Sequence, residues 1–179
     1  MTEKLIFRTL HGSHLYGFNH ADSDEDWYEV YEGKSRKLHQ ETDGKLDIVR
    51  GTIEGFMIRA ASGSHQSAEA LFSREKAWAP GMEEKWGPLL DNFRIAGEAY
   101  AKYERTIKKF CYGDFKKRQH ACRLAMNLWE MRVSWSGRFN PRIHTTERIL
   151  CAGYAHAFEG AELWEQLNQF TNPERGIDI

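Results

Sequence analysis

The strand-like segment Leu5-Ile6-Phe7-Arg8-Thr9-Leu10 runs without a linker into Gly12-Ser13-His14-Leu15-Tyr16-Gly17, and the chain reaches Ser23-Asp24-Glu25-Asp26 within fifteen residues of Gly12. Two glycines bracketing four residues permit a tight loop with one helical turn. The alternation in Trp27-Tyr28-Glu29-Val30-Tyr31 then predicts a second strand, so the chain opens on a strand–turn–strand unit. Gly12 lets backbone approach a charged group, and Ser13 offers a hydroxyl and an amide at the start of a short helix, where anions are favoured. Asp24 and Asp26 are one residue apart, so on a strand they emerge on one face. Two hard oxygen ligands placed this way suit Mg²⁺, which keeps several waters and shares its shell with substrate phosphates. A solvated acidic turn has the same composition over Asp22–Asp26.

Further along, residues 33–44 are polar and turn-rich, which predicts a hairpin excursion, and Leu46-Asp47-Ile48-Val49-Arg50 predicts a third strand. Ile53, Phe56, Met57 and Ala60 recur at i, i+3, i+4 and i+7, the mark of an amphipathic helix over about 52–61 that stops at Ser62-Gly63-Ser64. Past Gln66 the pattern is helical. It predicts a short helix through Phe72, a segment broken at Pro80-Gly81 and Gly87-Pro88, and a long helix over about 89–111. A helix capped by Asp114 follows and runs to about Trp135, then a break over 137–142, a helix over about 146–159 and short elements near 163–170. The expected class is α+β: a small mixed β-sheet core over about 1–75 with a helical C-terminal portion over 76–179 that closes over it or shares one core with it.

The 179 residues suffice for a real core, and the net charge is only −1, yet the charges are segregated. Acid concentrates at 22–26. Lys102 to Arg123 carries eight cations against Glu104 and Asp114, a pairing suited to phosphate chemistry or simply to two solvated faces. Cys111, Cys122 and Cys151 are too scattered for a Cys-x-x-Cys metal site, and the N-terminal residues lack the basic-then-apolar pattern of a leader. No apolar run nears the roughly eighteen residues of a membrane span. A cytoplasmic protein with no membrane partner is expected.

In the helix after Asp114, Lys116, His120, Arg123, Asn127 and Glu130 form one polar stripe. Cys122, Met126, Trp129 and Val133 flank it on one side and Leu124, Leu128, Met131 and Trp135 on the other, so most of this helix is expected to be buried, with the stripe aimed at water or at a polar cleft.

Gly-Ser-x-x-x-Gly, a spacer, then Ser-Asp-x-Asp resembles the active-site motif of the DNA-polymerase-β-like nucleotidyltransferase superfamily. The later order of Asp47, Phe56 and Glu69-Ala70-Leu71-Phe72 looks like its subgroup of predicted nucleotidyltransferases related to bacterial RNA-repair-associated members. The motifs cover the first seventy-odd residues, and Lys116-x-x-x-His120-x-x-Arg123 resembles a later helix of the subgroup that lies near the nucleotide. The resemblance implies a Mg²⁺-dependent enzyme, with Mn²⁺ as a possible substitute, that moves a nucleoside monophosphate from an NTP to an acceptor and releases pyrophosphate. It implies Asp24, Asp26 and Asp47 as catalytic metal ligands, and Gly12, Ser13, Lys116, His120 and Arg123 as nucleotide-binding residues. The implied acceptor is RNA, tRNA-like, or a protein. His14 is expected at phosphate or over the helix turn, Tyr16 and Trp27 at a base or in the core, and Glu69 in an ion pair rather than in catalysis. Glu25 stands where relatives often carry an aromatic residue, and the chain is shorter than many of them. Two rivals remain: a non-catalytic nucleotide- or RNA-binding module, and an antitoxin-like protein that nucleotidylates a partner toxin.

Overall fold

A computed structural model describes residues 4–133, 137–142 and 144–172 of the chain. It is an α+β protein with a mixed sheet and, among the described residues, five strands and eight α-helices. The chain divides into two compact units, Met1–Arg94 and Ile95–Ile179.

The first unit is built on the strands β1 (Leu5–His11), β2 (Glu25–Tyr31), β3 (Leu38–Asp43), β4 (Leu46–Thr52) and β5 (Ala77–Trp78). Their order is β3-β4-β2-β1-β5; β2 and β4 run parallel and every other neighbour pair is antiparallel. The excursion after β2 is the hairpin β3–β4, turned at Gly44, whose φ of 60° few other residues adopt cheaply. The alternation in β1 buries Phe7, Thr9 and His11 on one face. Helix α1 (Gly12–Tyr16) follows at once, and α2 (Ile53–Ala61) and α3 (His65–Phe72) follow β4. Thr52 starts α2 by accepting the Gly55 amide at 3.4 Å. Phe56 of α2 then packs edge-on against Phe7 at 5.7 Å and Tyr28 at 5.3 Å, which places α2 on the face that carries Phe7, Thr9 and His11. Helix α3 covers the same face through hydrogen bonds between Tyr28 and Ser67 (3.2 Å) and from Thr9 to Ser73 beyond its end (2.9 Å). On the other face Arg8 lies over Trp27 at 3.9 Å, and Glu29 accepts from Tyr31 and Arg50.

Because β5 pairs with β1 and α4 (Met82–Asp91) packs on β1, the first unit extends past residue 75 to Arg94. Two expectations about this stretch are corrected. Gly87-Pro88 lies inside α4 rather than breaking it; the helix ends one turn later, where Pro88 oxygen accepts the Asn92 amide and side chain. No helix spans 89–111 either. The chain is non-helical over 92–96 and re-forms as a 3-10 turn, Gly97–Ala99, leading into α5 (Tyr100–Cys111).

The second unit packs α5, α7 (Thr145–Ala157) and α8 (Gly160–Thr171) around α6 (Phe115–Val133). Asp114 caps α6 by accepting the Lys117 amide at 2.9 Å, and α8 is a full helix of 12 residues where short elements were expected. Since three helices surround α6, its interior side is wide enough to take in part of the polar stripe. Arg123 and Asn127 are each 1% exposed, while Trp129 and Val133, expected inside, are exposed. Trp129 stacks on Phe170 of α8 at 5.7 Å. Trp135 lies outside the described residues. Arg132 ties α6 to its neighbours, bonding Glu104 of α5 at 2.7 Å and the Thr171 oxygen of α8 at 2.8 Å. No helix among the described residues is long and apolar enough to cross a membrane.

Cys111, Cys122 and Cys151 are free and buried in this unit. Burial pushes the Cys111 thiol from an ordinary 9.0 up to about 11 and the Cys151 thiol up to about 12, and it raises Cys122 as well. Above pH 9 the unfolded chain releases thiol protons that the folded chain keeps. Stability is therefore whole below pH 9 and falls as pH rises toward the folded-state values. Unfolding by urea at pH 8, 9 and 10 should show a loss of up to about 1.4 kcal/mol per thiol per pH unit above 9. Replacing Cys111 by Ala should remove a third of that slope. A pH-independent midpoint over this range would show that the thiols titrate freely in the folded state.

Candidate functional site

The residues that matter share one rung of the sheet. His11 of β1 stands opposite Asp26 of β2, Asp26 opposite Asp47 of β4, and Asp47 opposite Thr42 of β3. Side chains in register on adjacent strands share a face, with Cβ atoms typically about 5 Å apart. That face is the one α2 and α3 cover, so the apolar core face ends in a polar rung. His11 is 4% exposed, while Asp26 and Asp47 are half-buried.

Each carboxylate is held in its own way. Gln40 Nε2 donates to both Asp47 oxygens, at 3.1 and 2.8 Å, and Thr42 Oγ1 donates to one at 3.3 Å, so the hairpin β3–β4 fixes Asp47. Asp26 is positioned through the loop glycine. Gly12 has a φ of +65°, and a Cβ built on it would lie 2.3 Å from Asp26 Oδ2, so only glycine admits both this backbone and this carboxylate. Gly17, with a φ of 69°, closes α1 in the left-handed region. Both motif glycines thus have a conformational reason to be there.

Burial lowers the pKa of His11, and the surrounding carboxylates Glu69, Asp26 and Asp47 pull in the opposite direction without prevailing. The imidazole is therefore neutral at pH 7, and its Nε2 is buried with no hydrogen-bond partner among the described residues. Glu69 of α3 is 1% exposed, so this acid of the Glu-x-Leu-Phe segment belongs to the same buried group rather than to the surface.

Asp24 leads into β2 rather than lying on it. It lies one residue before β2, which begins where the Glu25 amide donates to the Lys45 oxygen at 2.7 Å, and it is exposed. Ser13 is 6% exposed and Tyr16, at 1%, is a core residue; Trp27 lies under Arg8. Lys116, His120 and Arg123 belong to the second unit, on α6, where exposure falls along the series: Lys116 is exposed, His120 half-buried and Arg123 buried.

Among the described residues no group of three or more His, Cys, Asp or Glu side chains is arranged to hold a metal ion, so the three acids do not form a preformed cage. The donors still fit Mg²⁺ in a narrower sense. Two hard carboxylates in register beside a glycine loop match its habit of taking one or two protein carboxylates and completing its shell from water and substrate phosphate. Reading the sequence missed His11, Gln40 and Thr42. His11 directly precedes the glycine loop, but its meaning lies in the β1–β2 register, which no local pattern displays. No protein-family model matches the chain, and no curated protein matches it.

Gly12→Ala is expected to lower stability by about 1–2 kcal/mol for the left-handed backbone alone, and more because the new methyl drives Asp26 from its place. Thermal unfolding should show a fall in Tm of several degrees. A parent-like Tm would mean that Asp26 swings aside freely and that the loop does not position it.

Proposed function

We propose that the chain is a cytoplasmic nucleotidyltransferase that moves a nucleoside monophosphate from an NTP to an acceptor hydroxyl and releases pyrophosphate. The observation that carries this reading is the in-register pair Asp26 and Asp47 on the rung beside Gly12, which puts two of the three acids of the resemblance on one face although they stand 21 positions apart in sequence. Asp26 and Asp47, joined by Asp24 from the strand's entry, would hold Mg²⁺ or Mn²⁺. The ion supplies charge neutralisation on the triphosphate and lowers the pKa of an oxygen bound to it.

The chain's own groups do the rest. Asp47, oriented by Gln40 and Thr42, accepts the acceptor hydroxyl's proton as its oxygen attacks the α-phosphorus. The bond from that phosphorus to the bridging oxygen breaks, and the electron pair leaves with pyrophosphate. The neutral His11 with Glu69 walls the rung on its buried side. Gly12 and Ser13 take the phosphate-binding role that the resemblance implies in the first unit; the roles it implies for Lys116, His120 and Arg123 fall on α6 of the second unit, where Arg123 is buried. The three free, buried thiols agree with a reducing compartment.

The absence of a preformed three-acid cage is the one observation that favours the rival, a nucleotide-binding module without catalysis. Incubation of the protein with each α-labelled NTP and Mg²⁺, with RNA and with protein acceptors, separates the two. Label transfer with stoichiometric pyrophosphate supports the enzyme. NTP binding without pyrophosphate release, across all four nucleotides and both acceptor classes, leaves the module.

A further inference from the structure

Arg105 and Lys109 stand at i and i+4 on α5, and Tyr112, which follows its last residue, stands at i+7, so the three span about 10 Å. All three are exposed, Tyr112 at 62%, and Phe115, the first residue of α6, is 42% exposed. Two large rings facing water three residues apart are costly for a soluble surface; Tyr112 lies beside Gly160, 3.5 Å from where a Cβ on that glycine would stand.

Three of the acids near this corner are already engaged. Glu104 is bonded to Arg132 at 2.7 Å, Asp114 caps α6 and pairs with Lys117 at 3.7 Å, and Glu159 pairs with Arg118 at 3.6 Å. Arg105 and Lys109 make no ion pair among the described residues. Lys116 and Lys117 add two further cations in the first turn of α6, Lys117 paired with the capping Asp114. Cations following a backbone, interleaved with open rings on which unpaired bases stack, are the chemistry that holds single-stranded nucleic acid.

We propose that the stripe Arg105–Lys109–Tyr112, continued by Phe115, docks single-stranded RNA. It rests on the transfer reading only in making that RNA the acceptor; the binding itself requires no chemistry at the acidic rung. Duplex RNA hides its base faces and is a poorer ligand for the rings.

The test is fluorescence anisotropy of a labelled single-stranded oligoribonucleotide of about 16 nucleotides, the upper end of common single-strand site sizes, against the full chain without NTP or Mg²⁺. The parent should bind with a dissociation constant that rises steeply with salt. Arg105→Glu with Lys109→Glu should weaken binding at least about tenfold and flatten the slope of log K against log salt by about 1.4, two contacts at about 0.7 each. Tyr112→Ala with Phe115→Ala should weaken it at least about fivefold at every salt concentration and leave the slope unchanged. The milder Arg105→Gln with Lys109→Gln checks the charge effect should the reversal disturb folding, which circular dichroism reports. No binding by the parent, parent-like binding by both variants, equal binding of duplex and single strand with no effect of the ring variant, or tighter binding of anionic vesicles or an acidic peptide would each overturn the proposal. RNA binding at this stripe without any NMP transfer leaves the docking surface standing and removes the transfer reading, and NMP transfer without RNA binding does the reverse.

Discussion

Asp26→Asn is expected to reduce NMP transfer by at least about 100-fold, the scale on which single preorganised electrostatic groups act in a transition state, while the protein stays folded. The expectation follows from where the carboxylate sits. Asp26 is flanked in register by His11 and Asp47, its Oδ2 fills the space a Gly12 side chain would take, and Glu69 adds a further nearby acid. Gathering carboxylates at the end of a core face disfavours folding through mutual repulsion and partial desolvation, so neutralising one of them should leave Tm unchanged or raise it. A residue kept there for packing would behave in the opposite way, with a lower Tm and transfer reduced only in proportion to the folded fraction. Asp24→Asn, made in parallel, should also suppress transfer, but with no change in Tm, because Asp24 is exposed and precedes the strand. Initial rates of pyrophosphate release at saturating NTP and Mg²⁺, read beside thermal unfolding, decide between the two. Transfer within about twofold of the parent in both variants would remove the metal-site assignment.

The parts of this molecule that could be read from its sequence are those whose cause is local. The strand-like run Leu5–Leu10 gave β1 and period-two alternation gave β2, the i, i+3, i+4, i+7 pattern gave α2, and Asp114 gave the start of α6. Gly12 and Gly17 were recognisable as loop residues because positive φ selects glycine whatever the loop does. The errors fall where a distant neighbour decides. Pro88 was read as a break because a proline in a helix removes a hydrogen bond, yet α4 continues through it and ends only at Asp91. Arg123 and Asn127 were read as a stripe facing water or a cleft, and Trp129 as core. Which side of α6 is inside is settled by α5, α7 and α8 together, and no hydrophobic period of α6 alone encodes that. The site divides in the same way. Its acids were visible as a spaced motif, whereas His11, Gln40 and Thr42 became visible only through pairing register, a property of two strands at once.

Asp47→Asn is expected to separate binding from chemistry, with NTP affinity within about threefold of the parent and turnover down by roughly 10²–10⁴, the usual worth of a positioned general base. The structure also offers Asp47 a purely architectural task, because Gln40 and Thr42 bond to it and thereby tie β3 to β4. The two tasks predict different losses. An asparagine keeps one oxygen for the Gln40 amide, and Gln40 is exposed, so water replaces whatever bond is lost and the stability change should stay within about 1 kcal/mol. An architectural role therefore leaves turnover nearly intact in Asp47→Asn. It also makes Gln40→Ala, which removes two of the hairpin's bonds to the carboxylate, the more damaging change to Tm. A catalytic role reverses that order: Asp47→Asn stops turnover with Tm preserved, and Gln40→Ala slows turnover only as far as the carboxylate loses its aim. Calorimetric titration of a non-hydrolysable NTP fixes the affinity, and pyrophosphate release with the true acceptor present fixes the rate. Full turnover in Asp47→Asn would exclude it as the base, leaving a solvent molecule or His11 as the group that takes the proton.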